Sequence, residues 1–189
     1  RPVRAAWAER MADDLAEFLE CEAGTFDGFE TRGTELSLSA GIDEARAVLT
    51  GRLDRVAGCP GDPACVVVDY KTGKLPTRKS LRGEEGEPVS VQIPAYVFLL
   101  EKSGSPVRAA LYYSVRGGGY ENVFAADQDD AWLDADAMAQ AETRLVRLLA
   151  SSAERLRAGD YRVIPGESEP CAFRGVCRRK YLSEREGGT

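Results

Sequence analysis

The chain has 189 residues, 43% of them hydrophobic, enough for one compact α/β domain with a real core. It carries 31 acidic against 25 basic side chains, a net charge of −6, and no histidine, which excludes Ser-His and Cys-His nucleophiles and imidazole metal sites and leaves metal and acid–base work to carboxylates. Five cysteines (Cys21, Cys59, Cys65, Cys171 and Cys177) are an odd number, and no apolar run is long enough for a signal peptide or a membrane span, so a reducing, cytoplasmic location without a membrane partner is expected.

In chain order, Trp7, Met11, Leu15, Phe18 and Leu19 recur at helical spacing and predict an amphipathic helix over about 3–22, ended by Gly24 and Gly28. Glu35-Leu36-Ser37-Leu38-Ser39 alternates as a half-buried strand does. Two further strands are expected over 48–57 and 65–71, and the turn-rich segment Gly58-Cys59-Pro60-Gly61-Asp62-Pro63-Ala64 makes them a hairpin. Residues 72–88 mix Gly, Pro and charge without periodicity, a loop of roughly seventeen residues whose length suggests a functional use and ordering on substrate.

A helix is expected from Val89 to Lys102, with Ser90 as its cap and Pro94 tolerable only in its first turns. Strands over 107–115 and 120–124 flank Gly117-Gly118-Gly119. A long helix over about 129–158 follows, with Asp127, Asp129 and Asp130 at its N-terminus, where the macrodipole favours anions. This order predicts an α/β fold, a mixed β-sheet flanked by helices, as a single domain over 1–189. The chain starts at Arg1 with helical patterning almost at once, and is read as a C-terminal fragment of a longer polypeptide.

Strand alternation then places the polar residues. If Leu53, Arg55 and Ala57 share one face, Asp54 takes the other; Val67, Asp69 and Lys71 share a face, with Asp69 and Lys71 about 7 Å apart along the strand. Asp54 lies five residues before Cys59 and Asp69 four after Cys65, so the hairpin sets the two acids nearly opposite each other. Two carboxylates beside a lysine are costly in water-poor surroundings unless a cation compensates, and Mg²⁺ (or Mn²⁺) suits an oxygen ligand set.

Phosphodiester cleavage needs an activated water and stabilisation of growing negative charge, which such a set supplies. Asp54 and Asp69 are the expected metal ligands, with the Tyr70 backbone carbonyl as a third. Lys71 would orient or deprotonate the water, or neutralise the phosphate. Gln92 and Tyr96, four apart on a helix, present one hydrogen-bonding face. Lys74, Arg78, Lys79, Arg82, Arg178 and Arg179 belong to two basic clusters and are the candidate DNA contacts. Each feature alone is commonplace; their joint order carries the reading.

Gly-Arg-Leu-Asp-Arg at 51–55, Val-Val-Asp-Tyr-Lys-Thr-Gly at 67–73 and Gln-Ile-Pro-Ala-Tyr at 92–96 resemble the three successive motifs of RecB-like nucleases (the AddB/AdnB/RecB type) within the PD-(D/E)XK superfamily. The resemblance covers about residues 7–181. It implies a restriction-endonuclease-like fold and a deoxyribonuclease dependent on Mg²⁺ or Mn²⁺. The family's catalytic aspartate, Asp-x-Lys pair and Gln/Tyr pair carry to Asp54, Asp69, Lys71, Gln92 and Tyr96. Glu35 resembles the glutamate of the strand before the first motif, a further candidate metal contact. The resemblance also implies single-stranded DNA as substrate and a helicase motor, in the same chain or a partner subunit, in double-strand-break end processing.

Two departures accompany it. The upstream helical histidine that many members place near the metal is absent. Cys171-Ala-Phe-Arg-Gly-Val-Cys177 resembles the end of the family's iron–sulfur staple, but Ser168 stands where a cysteine ligand should be, so no 4Fe-4S cluster is expected. Zinc is not expected either, since five residues separate Cys59 from Cys65 and Cys171 from Cys177, more than in ordinary zinc knuckles. The alternative is a catalytically weak or inactive DNA-binding scaffold of a helicase–nuclease, against which the intact Asp54, Asp69 and Lys71 set speaks.

Overall fold

Cys65-Val66-Val67-Val68 is apolar on both faces, and in the computed structural model it forms the middle of a sheet, buried from Cys65 through Asp69. The structure describes residues 2–78, 90–127 and 130–161, with 2–7 as backbone alone. Its elements are α1 (Pro2–Thr25), β1 (Glu30–Ile42), β2 (Ala47–Gly58), β3 (Cys65–Lys71), α2 (Gln92–Lys102), β4 (Val107–Ser114), β5 (Tyr120–Ala125) and α3 (Ala135–Arg157). The strands make one five-stranded sheet in sequence order. All pairs are antiparallel except β3 and β4, which run parallel because the chain crosses over through α2 between them. This is the mixed, helix-flanked sheet of the restriction-endonuclease-like α/β fold.

The two faces of β2, β3 and β4 carry different clusters. On one, Leu53, Val56, Val67, Ala110 and Tyr112 pack with Ile93, Val97 and Leu100 of α2. On the other, Val66, Val68, Leu111 and Tyr113 pack with Phe26, while Phe18 of α1 meets Tyr70 and Tyr113 edge-on at 5.7 and 5.8 Å. Each fully buried Val or Leu contributes about 1.5–3 kcal/mol. Ile42 and Ala45 join Phe98 of α2 and Leu145 of α3 in a third cluster. At the β2–β3 turn, Arg32 reaches the carbonyls of Cys59, Asp62, Pro63 and Ala64, which ties the hairpin loop to β1.

Contacts divide the chain into residues 1–153 and 154–189. The described part of the second, 154–161, holds the last turn of α3 and an ion pair from Arg155 Nε to Asp160 Oδ2 at 3.1 Å.

Four sequence expectations need correction. Met11, Leu15 and Leu19 form a stripe that is 55%, 52% and 55% exposed; the stripe that turns inward is Phe18, Cys21, Glu22 and Thr25. Ser90 does not cap α2: Val91 occupies that position without a side-chain cap bond, and Ser90 Oγ instead lies 3.4 Å from the Tyr112 hydroxyl. The last helix starts at Ala135, later than expected, because Leu133 still bridges Phe124 and Asp134 then caps the Ala137 N–H at 2.8 Å. Asp127 and Asp130 therefore precede the helix, and Asp129 lies outside the described residues. Finally, Leu53 and Arg55 do not share a face: Leu53 packs against α2, Arg55 over the Phe26 ring. Between the pairs Thr34↔Arg55 and Leu36↔Leu53, Glu35 has φ 49°, which breaks the pleat opposite Asp54.

Candidate active site

The C-terminal end of β3 carries the centre of the site. Asp69 and Lys71 project toward α2 as strand periodicity requires, and the parallel register sets Asp69 beside Tyr112 and Lys71 beside Ser114. Asp69 is 2% exposed. Its Oδ1 accepts from Gln92 Nε2 at 2.6 Å, and Lys71 Nζ lies 2.5 Å from Oδ2. The ammonium stands off the hydrogen-bonding line, so this buried oxygen has a charge contact without a well-aligned hydrogen bond. Burial pushes the Asp69 carboxyl up, Lys71 pulls it down and the Asp54 charge pushes it up again, for a net rise.

Gln92, the first residue of α2, links the set. Its Oε1 accepts from Lys71 Nζ at 3.0 Å while its Nε2 faces Asp69 and the Tyr96 hydroxyl, the latter at 3.1 Å. A lysine only donates and a carboxylate only accepts, so the amide has one orientation that satisfies both. Tyr96 follows one turn later. It is brought close to the sheet by Gly51 of β2, where an added Cβ would fall 2.6 Å from Leu99 Cδ1 and 3.6 Å from Tyr96 Cε1.

Asp54 arrives from β2. The β2–β3 ladder ends at Arg55↔Val68, and one further step of that register sets Asp54 opposite Asp69. There the Asp54 Oδ2 accepts the Tyr70 backbone N–H at 2.9 Å. Asp54, Asp69, Lys71, Gln92 and Tyr96 are thus brought together. Glu35 is not: it forms an ion pair with Arg52 at 2.8 Å with both side chains mostly in solvent, the left-handed φ having taken it out of the strand's alternation. Lys74 and Arg78 are exposed, Arg78 Nη2 lying 3.4 Å from the Trp132 carbonyl. Lys79, Arg82, Arg178 and Arg179 lie outside the described residues, as do Ser168, Cys171 and Cys177. Cys21, Cys59 and Cys65 are free thiols, and Cys65 is committed to the core, its thiol pushed up by burial and donating to the Pro106 carbonyl.

Two groups of residues escaped the sequence reading. Tyr112 lies beneath the site, its ring centre 4.9 Å from Lys71 Nζ, and burial raises its hydroxyl. The apolar run of β4 ending in Tyr112-Tyr113 was a signal only once the parallel register was known. Behind the acids, Tyr70 donates to Glu22 Oε1 at 2.6 Å and Arg55 pairs with the same oxygen. Burial and the Glu22 bond push the Tyr70 hydroxyl up to about 12, so it stays a donor.

The donor set fits Mg²⁺ or Mn²⁺. Among the described residues no three His, Cys, Asp or Glu side chains group to hold a metal. Mg²⁺, however, is ordinarily held by one or two carboxylates with waters and substrate phosphates completing its shell. Asp69 Oδ2, buried and lacking a well-aligned hydrogen bond, and Asp54 across from it provide that, with the Tyr70 carbonyl on the same strand end.

A mixed sheet that delivers two carboxylates from adjacent strands and a lysine two residues beyond the second defines the restriction-endonuclease-like class. The chain belongs to the PD-(D/E)XK nuclease superfamily, whose family model matches residues 2–178. Among solved structures, the crystal structure of SSO0001 is similar at 19% identity and a TM-score of 0.39, over 82% of this chain and 62% of that one. The chain thus spans less than two thirds of that protein's length. No curated protein matches it. No helix among the described residues is long and apolar enough to cross a membrane.

Proposed function

We propose that the protein is a Mg²⁺- or Mn²⁺-dependent deoxyribonuclease of the RecB-like type that hydrolyses phosphodiesters of single-stranded DNA. In this reading it works with a helicase motor, in its own chain or a partner subunit, in the processing of double-strand breaks. The observation that carries the nuclease reading is the convergence of Asp54, Asp69 and Lys71 on one strand end with Gln92 locking acid to lysine. The three motifs support the RecB-like assignment and, through it, the single-strand and helicase reading.

A divalent cation held by Asp54, Asp69 and the Tyr70 carbonyl would supply an acidified water and stabilise charge on the phosphate. Gln92 holds the Lys71 ammonium through Oε1 while fixing Asp69 Oδ1, so the lysine keeps its aim when Asp69 turns to another partner. Lys71 is 28% exposed at its side chain and can meet a phosphate oxygen or the attacking water from the protein side. Tyr96 completes the chain of hydrogen bonds by accepting from Gln92. Lys74 and Arg78 are exposed on the stretch that follows Lys71 and, in this reading, would contact the DNA backbone.

The test is cleavage of end-labelled single- and double-stranded DNA with Mg²⁺, Mn²⁺ or EDTA, beside Lys71→Ala. Metal-dependent cutting of the single strand that is lost in the variant is expected. DNA binding with no cutting under any condition would move the protein to the scaffold reading.

A further inference from the structure

The two acids stand just past the end of the backbone ladder that joins their strands. Only Arg55↔Val68, Val56↔Val67 and Ala57↔Val66 pair β2 with β3, so no regular ladder bond sets the gap between Asp54 and Asp69. Two other ties act there. On the front, the Tyr70 N–H reaches Asp54 Oδ2. On the back, the Tyr70 hydroxyl donates to Glu22 Oε1 at 2.6 Å and accepts from Arg55 Nη1 at 3.2 Å, and Arg55 is ion-paired with Glu22.

Chain position gives this cluster its leverage. Arg55 directly follows Asp54, and Tyr70 lies between Asp69 and Lys71. One knot therefore grips β2 beside the first acid and β3 beside the second acid and the lysine, and its third member belongs to α1. The setting is otherwise apolar: Arg55 lies over the Phe26 ring at 4.7 Å, and Tyr70 packs edge-on against Phe18 and Tyr113. Apolar residues of similar volume would fill such a place at no electrostatic cost.

We propose that Glu22, Arg55 and Tyr70 are positioning residues that hold Asp54 and Asp69 at the separation a divalent cation requires, so that docking of α1 sets the metal affinity of the site. The inference rests on the metal-dependent reading above. Mg²⁺ accepts oxygen ligands only near about 2.0–2.1 Å in nearly octahedral geometry, and a strand end free to splay presents its carboxylates over a wider range. Outer contacts of this kind ordinarily change metal affinity by about 10- to 100-fold.

The experiment measures Mn²⁺ binding without DNA, from the loss of the free-ion paramagnetic resonance signal, together with melting temperature. The proteins are wild type, Tyr70→Phe, Glu22→Gln and Asp54→Asn. Tyr70→Phe keeps the ring against Phe18 and Tyr113 and removes only the hydroxyl, so it folds even if Glu22→Gln, which leaves Arg55 uncompensated, does not. The expected result is a dissociation constant raised about tenfold in Tyr70→Phe with an almost unchanged melting temperature. Tyr70→Phe binding within twofold of wild type, while Asp54→Asn abolishes binding, overturns the proposal and leaves the metal site standing. Wild-type binding that is absent or indifferent to Asp54→Asn overturns the metal reading and this proposal with it.

Discussion

The Lys71 ammonium lies over the face of Tyr112, 4.9 Å from the ring centre. Tyr112 is 1% exposed, so the ring is a fixed floor for a side chain that otherwise has four flexible carbons. A cation held over such a face gains about 0.5–2 kcal/mol. Tyr112→Leu removes the floor and is expected to lower single-turnover cleavage about tenfold. Tyr112→Phe keeps the ring, loses only the contact to Ser90 and should stay close to wild type. Equal losses in both variants would show that the hydroxyl, and not the ring, is what the site uses.

Asp69 trades stability for chemistry. Its carboxyl titrates above the usual carboxylate range because burial disfavours the charge, with Lys71 only partly offsetting it. A group raised in the folded state stabilises fully below its unfolded pKa, and that contribution is lost as pH rises through the folded one. Asp69→Asn is therefore expected to melt higher than wild type at neutral pH in EDTA, with the advantage fading as pH falls into the range where Asp69 protonates. The same variant should lose metal-dependent cleavage altogether. A lower melting temperature at neutral pH would mean that the Lys71 ion pair outweighs the burial.

Much of this site is local enough to read along the chain. Asp69 and Lys71 follow from strand alternation, Asp54 opposite Asp69 from the hairpin count and not from the alternation of β2, and Gln92 and Tyr96 from helical spacing. What stayed hidden depends on facts no single segment carries. Tyr112 meets Lys71 because β3 and β4 pair in parallel with a particular register. Glu22 meets Tyr70 because α1 docks by its Phe18 stripe and not by Met11, Leu15 and Leu19, which periodicity alone ranks equally. The left-handed torsion at Glu35 is a single backbone angle that no sequence pattern announces, and Glu35 pairs with Arg52 apart from the acids.

Gly51 is the residue of the first motif with a steric reason to be glycine. A Cβ there would come 2.6 Å from Leu99 Cδ1, and Leu99 is 1% exposed with little room to yield. Gly51→Ala should cost about 1–2 kcal/mol, the usual scale of overpacking, and lower the melting temperature by about 2–4 °C per kcal/mol for a chain of this size. Because α2 carries both Gln92 and Tyr96, Gly51→Val is expected to reduce cleavage as well, by moving the helix off β2. Thermal denaturation and cleavage on the two variants check this; an unchanged melting temperature for Gly51→Val would show that α2 does not bear on β2 there.

Glu142 on α3 provides a test of the fold away from the acids. It lines a groove with Phe98, Ala139 and Val146, and its Oε1 is buried without a hydrogen-bond partner. Burial raises its carboxyl from 4.5 to about 7, helped by the Glu101 charge and opposed by Lys102. The folded value lies above the unfolded one, so the group's contribution to stability is complete below about pH 4.5 and is lost as pH rises through about 7. Glu142→Gln does not titrate and escapes that loss. Above pH 7 the variant should be more stable by on the order of 1 kcal/mol, a figure reduced for solvent screening of a half-buried group. At pH 4, below the unfolded value, the two proteins should melt together. Melting curves from there to pH 8.5 decide it: a gap of equal size at both ends would show that the substitution acts through packing and not through the charge.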